Sequence, residues 1–142
     1  MKVLLAIKPE FVEKILNGSK KFEFRKIIFK SEDVKVVLIY ASSPTQKVVG
    51  EFEIEKVIAL EPEKLWEKTK KHSGITKEYF DSYFSDKDEG FAIKIKNLKK
   101  YRKPKCLKTD FNISSPPQSF LYLNKSNKKQ KQERILIPSF QT

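Results

Sequence analysis

The nineteen residues from Ile7 to Arg25, IKPEFVEKILNGSKKFEFR, constrain the fold more than any other stretch, because their hydrophobic period switches from helical to extended across one glycine. Phe11, Val12, Ile15 and Leu16 stand at i, i+1, i+4 and i+5, the apolar stripe of a helix lying on a core. Pro9 suits the first helical turn, where its missing N–H costs nothing, and Asn17-Gly18 supplies a left-handed stop. Beyond the glycine the period is two: Phe22 and Phe24 point one way, Lys21, Glu23 and Arg25 the other. The ordinary reading of such a strand is half-buried with a solvated charged face. Spacing adds a second reading. A tight Gly18-Ser19 turn sets Lys20 at the helix–strand junction, so that a cation, a carboxylate and a guanidinium share one edge of the domain. That set can hold a polar planar ligand, with Arg25 as a rigid fork and Glu23 as an acceptor for N–H groups.

A chain of 142 residues suits one domain with one core, and 11 Phe, 5 Tyr and 1 Trp argue for a folded globule. No apolar run approaches the roughly 20 residues that cross a membrane. The N-terminal run VLLAI is shorter than a signal-peptide core, and the expectation is a cytoplasmic protein without membrane attachment. One Cys and one His exclude an internal disulfide and a Cys/His zinc cluster, and no cofactor or metal is expected. The net charge of +12 is unevenly placed. Residues 1–90 carry 17 Lys+Arg against 16 Asp+Glu, whereas residues 91–142 carry 13 against 2. Such asymmetry suits a polyanion-binding surface; a generic use of lysine as solubiliser gives the same composition.

Taken in order, Val3–Ile7 reads as a buried strand, Val34–Tyr40 as a β-branched strand, and Ser42-Ser43-Pro44-Thr45 as a loop. Val48–Val57 reads as a longer strand whose Glu51, Glu53 and Glu55 form an acidic face, most simply paired with lysines across the sheet. Gly50 within it signals a bulge or a close approach. Helices are expected near 9–17, 62–71 and 76–85, the second ended by His72-Ser73-Gly74 and the third capped by Thr76. The stripe Tyr79, Phe80, Tyr83, Phe84 is a core face by spacing, with base stacking as the alternative. Phe91–Lys96 is an alternating strand. Lys99–Lys108 then interleaves cations with Tyr101 and Cys106, and reads either as an exposed loop or as a contact for single-stranded nucleic acid. Residues 120–123 form a last strand. The polar run from Asn124 to Arg134 reads as a flexible basic arm, followed by the apolar ILIPSF that suits docking on this domain or on a protein partner.

Gly18-x-Lys20-x-x-Glu23-x-Arg25 resembles the GxKxxExR signature of ASCH domains, a branch of the PUA-like superfamily. The preceding IKPEFVEKILNG is similar to their first helix, and Ile39-Tyr40-Ala41-Ser42-Ser43-Pro44 with Val49-Gly50-Glu51-Phe52 to their second and third strands. The resemblance covers residues 1–123 and leaves 124–142 as a tail. It implies an α+β fold: a PUA-like mixed, mostly antiparallel β-barrel with about three flanking helices and a cleft suited to RNA or a modified nucleoside. Lys20, Glu23 and Arg25 would contact the ligand, with Tyr40, Ser42, Ser43, Gln118 and Ser119 lining the cleft. The function it implies is an RNA- or modified-nucleotide-binding domain, a regulator or accessory of RNA metabolism. The alternative is a small hydrolase. Relatives of this kind include N4-acetylcytidine amidohydrolases, which use a Lys, a Thr and a Glu, and ribonucleases. Here the Lys falls on Lys20, Glu23 holds the Thr position, and the expected acid falls near Ser73, so two of those three positions depart from the pattern.

Overall fold

A computed structural model of the chain describes residues 1–123 and a short strand at 132–134. The elements run β1 (Lys2–Ile7), α1 (Pro9–Leu16), β2 (Phe22–Arg25), β3 (Val36–Ala41), β4 (Lys47–Leu60), α2 (Pro62–Thr69), α3 (Lys77–Tyr83), β5 (Gly90–Lys105), α4 (Leu107–Phe111), β6 (Phe120–Leu123) and β7 (Gln132–Arg134). All the strands join one sheet in the order β2-β5-β4-β3-β1-β6-β7. Among the described residues only β1 and β3 pair in parallel, and the other pairs are antiparallel. The architecture is a mixed, mostly antiparallel half-barrel.

Period-two patterning gives the sheet two apolar faces, and each finds a cover. Val3, Leu5 and Ile7 of β1 join Val37, Ile39 and Phe52 beneath Val12 and Ile15 of α1. The alternate residues Leu4, Leu38 and Val48 pack on the opposite face against Leu107 and Ile113 at α4. A third cluster sets Phe22 and Phe24 of β2 against Leu65 of α2 and Phe80 and Phe84 of α3. Each such fully buried large side chain contributes about 1.5–3 kcal/mol of transfer free energy.

The acidic face of β4 lies opposite lysines of β5. Glu51 lies opposite Lys99, Glu53 opposite Lys96, and Glu55 pairs with Lys94 at 3.2 Å. Gly50 is a site of close approach: a Cβ there would stand 2.6 Å from the Lys99 carbonyl oxygen, where the register of β4 and β5 slips.

Two readings change. Lys99–Lys108 is not a loop: β5 continues through it to Lys105, and α4 follows at once. Its density of cations and its Pro104 conceal the strand. Pro104 is tolerated because β2 pairs with β5 only at Phe91–Lys94, leaving the later half of β5 with β4 as its one neighbour among the described residues. In the segment read as a flexible arm, Gln132–Arg134 pair with Leu121–Leu123. The remainder of that arm, 124–131, and the ILIPSF segment within 135–142 lie outside the described residues.

Candidate functional site

The turn that follows α1 sets Lys20 where its side chain must run inward. The Lys20 N–H bonds the Lys14 carbonyl, and the next N–H, of Lys21, bonds the carbonyl of His72. This stitches the α1–β2 turn to the loop ahead of α3. Lys14 adds a bond from Nζ to the Gly74 carbonyl at 3.1 Å. Lys20 is 3% exposed, its Nζ donating to the Ser73 carbonyl at 2.8 Å and lying 4.7 Å from the ring centre of Phe24 and 5.3 Å from that of Phe11. Gly74 makes room for it. At φ +71°, Gly74 faces the lysine stem, and a Cβ would stand 2.5 Å from Lys20 Cβ. Burial lowers the Lys20 pKa to about 8; Glu23 pushes it back up, and Lys14 down a little further.

Glu23 and Arg25 share the face of β2 that points away from the Phe22 and Phe24 rings. They pair at 3.3 Å, both largely buried. Arg25 also reaches across to the other side of the half-barrel, donating from Nη1 to Ala6 O at 3.4 Å and from Nη2 to Ser119 O at 2.9 Å. One guanidinium thereby ties the first strand of the sheet order to the end of β1 and the approach to β6. This uses the forked geometry that lysine lacks.

These three side chains line one cavity of about 150 Å³. Ala6, Ile7 and Lys8 form its rim at the end of β1, and Phe11, Phe24, Ile75, Tyr79 and Tyr83 form its walls. The aromatic stripe of α3 splits, which corrects its reading as a single core face. Phe80 and Phe84 are buried beneath the helix, whereas Tyr79 and Tyr83, one helical turn apart and stacked with centroids 6.3 Å apart, face the cavity. Thr76 caps α3, its hydroxyl accepting the Tyr79 N–H, and Lys8 Nζ bonds the Tyr79 hydroxyl at 3.3 Å. Tyr83 bonds the Phe24 carbonyl at 3.4 Å; burial raises its pKa against the lowering effect of Arg25.

The other residues singled out from the sequence stand outside the cavity lining. Tyr40 is buried on the α4 face of the sheet, beside Val48 and Tyr101. Ser42 donates to Ile7 O at 3.3 Å, next to the rim, and Ser43 is exposed in the turn that follows. Ser119 contributes its backbone carbonyl to Arg25, and Gln118 is exposed beside it. Glu51 bonds the Tyr101 hydroxyl at 2.7 Å, which with burial raises that phenol's pKa. At Ser73 the buried residue offers a carbonyl, not a carboxylate, to Lys20; its hydroxyl donates to Ile75 O. Among the described residues, no three His, Cys, Asp or Glu side chains are grouped to hold a metal ion. Among the wall residues, Phe11 and Ile75 were missed by sequence reasoning, and Tyr79 and Tyr83 stood only as the alternative stacking face. Their available signal was the i, i+4 pairing of two tyrosines beside two phenylalanines on α3.

A family model described as Domain of unknown function (DUF365) matches residues 1–115. The chain belongs to this ASCH-type family. The crystal structure of ASCH from Zymomonas mobilis superposes with a TM-score of 0.81 at 25% identity, over 88% of this chain and 89% of that one. A curated relative from the same organism, named an ASCH domain-containing ribonuclease, is 24% identical over 86% of this chain and 84% of its own length. The large ribosomal subunit protein uL22 of Ureaplasma parvum serovar 3 is 42% identical over 87 residues. That match takes in 61% of this chain but only 28% of the ribosomal protein, so the ASCH chain spans under a third of that relative.

Proposed function

We propose that this ASCH domain binds RNA or a modified nucleotide, with the cavity at Lys20 receiving a base. The observation that carries the reading is the burial of Lys20, Glu23 and Arg25 together behind aromatic walls. A buried charge is costly unless it is used or compensated, and Lys20 is met by one carbonyl, two ring faces and the field of Glu23. Tyr79 and Tyr83 offer rings for stacking, while Glu23 accepts from an exocyclic amine and Arg25 donates to a base edge. The likeness to the Zymomonas ASCH domain and its ribonuclease-named relative supports an RNA-related role. Ser42, Ser43, Gln118 and Ser119 belong to this proposal as outer contacts beyond the cavity, whereas Tyr40, buried on the α4 face, does not.

Filter binding of RNA in rising salt tests this. Retention at low salt that declines linearly on a logarithmic salt axis is expected, with Lys20→Met and Arg25→Ala both weakening it. Absence of retention at low salt refutes it.

A second reading rests on one observation: a lysine with a pKa near 8 is partly the free amine at neutral to mildly alkaline pH, the form that acts as base or nucleophile. Incubation with N4-acetylcytidine, and separately with RNA, tests it. Product formation by the wild type that disappears in Lys20→Ala supports a hydrolase; no cytidine and no cleaved RNA excludes it.

A further inference from the structure

The cavity accounts for one base, and the structure offers more than a single base requires. The cations of β5 divide into two groups. Lys94, Lys96 and Lys99 face the three β4 glutamates. Beyond Glu51, β4 continues backward through Gly50, Val49, Val48 and Lys47 without a carboxylate, so Lys100, Arg102, Lys103 and Lys105 meet none across the ladder. All four are exposed, and among the described residues no ion pair within 4 Å involves them.

The sheet register places this unneutralised group at the same end of the molecule as the cavity. Lys105 pairs with Val48, Val48 with Tyr40, and Tyr40 with Ala6, whose carbonyl holds Arg25 at the cavity rim. Three strand spacings separate Lys105 from Ala6, about 14 Å along a flat sheet and less around a curved one. On the α1 side of the sheet a groove of about 310 Å³, lined by α1 residues, Ala41, Thr45 and Val49, reaches Lys100. Glu13 stands on its wall, and Glu51 accepts from Tyr101 between Lys100 and Arg102, so two carboxylates border the route.

We infer that the cationic end of β5, Lys100 to Lys105, is a track for the sugar–phosphate backbone of a single-stranded RNA whose base occupies the Lys20 cavity. The inference rests on the RNA reading above. It adds a partner class, an oligonucleotide in place of a free nucleoside, and a direction, from the end of β1 across the β3–β4 turn to β5. Few contacts here distinguish sequences. Binding along the track is ionic and salt-dependent, while the cavity selects the base.

Lysines on an open strand edge also guard against edge-to-edge association, and this alternative predicts a different result. The experiment compares three proteins on a fluorescent oligouridine of about a dozen nucleotides, within the span a small single-strand binder covers. They are the wild type, Lys100→Gln/Arg102→Gln/Lys103→Gln, and a control of equal charge change on α2 and the turn that follows it, Lys64→Gln/Lys68→Gln/Lys71→Gln, each checked for folding by circular dichroism. The β5 variant is expected to lose tenfold or more in affinity at low salt. Its log–log salt slope is expected to fall by about 2, at about 0.7 per phosphate contact on a single strand, while the α2 variant stays within twofold of wild type. Equal losses in both variants, or β5 losses confined to solubility, overturn the track while leaving the cavity reading in place. No binding by the wild type overturns both.

Discussion

Lys20 is the residue on which the site depends, and its energetics run opposite to those of a surface lysine. Its folded-state pKa, about 8, lies below the ordinary 10.5. Between those values the unfolded chain binds more protons than the folded one, so stability rises with pH across that window and the full cost is present below it. Lys20→Met removes the buried charge at similar volume. Chemical denaturation at neutral pH should show the variant equal to or more stable than wild type, by up to about 2 kcal/mol, with the advantage shrinking as pH passes from 8 towards 10.5. A constant loss at every pH would mean that the amine stabilises the fold. Gly74 is the complementary position. Gly74→Ala forces a Cβ into the Lys20 stem and strains a positive φ, and should cost about 1–3 kcal/mol in denaturation together with a weaker grip on RNA in filter binding. Lys20, Glu23 and Arg25 were legible in the sequence as a set because strand alternation puts Glu23 and Arg25 on one face. The glycine that admits the lysine, 54 residues downstream, carried no local sign of it.

At the scale of the element, α3 shows how one helix serves two ends. A seven-residue helix is short for autonomous stability, so its cap and its packing must hold it. Thr76→Ala removes the acceptor for the Tyr79 N–H and should lower stability by about 1 kcal/mol, measured by urea denaturation. The two faces of α3 should separate in mutagenesis. Phe80→Ala empties a fully buried position against Phe24, Trp66 and Phe84 and should cost about 3–5 kcal/mol. Tyr79→Ala, at the cavity, should reduce RNA retention several-fold with a much smaller loss of stability. Helical spacing announced an aromatic helix, but it could not say which ring met the core: i and i+1 lie only 100° apart, and the boundary between core and cavity falls between them. The same limit applies to β5. Alternation was plain at Phe91–Lys96 and vanished into a run of lysines, although backbone pairing with β4 carries the strand on to Lys105.

For the whole molecule, the sheet order leaves β2 at one extreme and β6–β7 at the other, and Arg25 spans the gap between β2 and the strands β1 and β6. Arg25→Met should loosen that seam. Hydrogen exchange should quicken at the ends of β1 and β6 while the β4–β5 ladder stays protected. Unchanged exchange there would show that the cores close the half-barrel without the guanidinium.

The amino-acid sequence determined the periodicities, and with them α1, β2, β3, β4 and the positions of the three longer helices, because each is written in spacings of two or 3.6 residues. It also contained the lysine, glutamate and arginine and the concentration of charge in the last third. Only the tertiary structure decided what those groups meet. Ser73, Gly74, Tyr79 and Tyr83 reach Lys20 and Arg25 across more than 50 residues of chain, and the β4 glutamates stand opposite one half of the β5 lysines while the other half has no carboxylate across the ladder. Charge is a property of residues, but its neutralisation is a property of strand register, and register is settled only when the sheet forms.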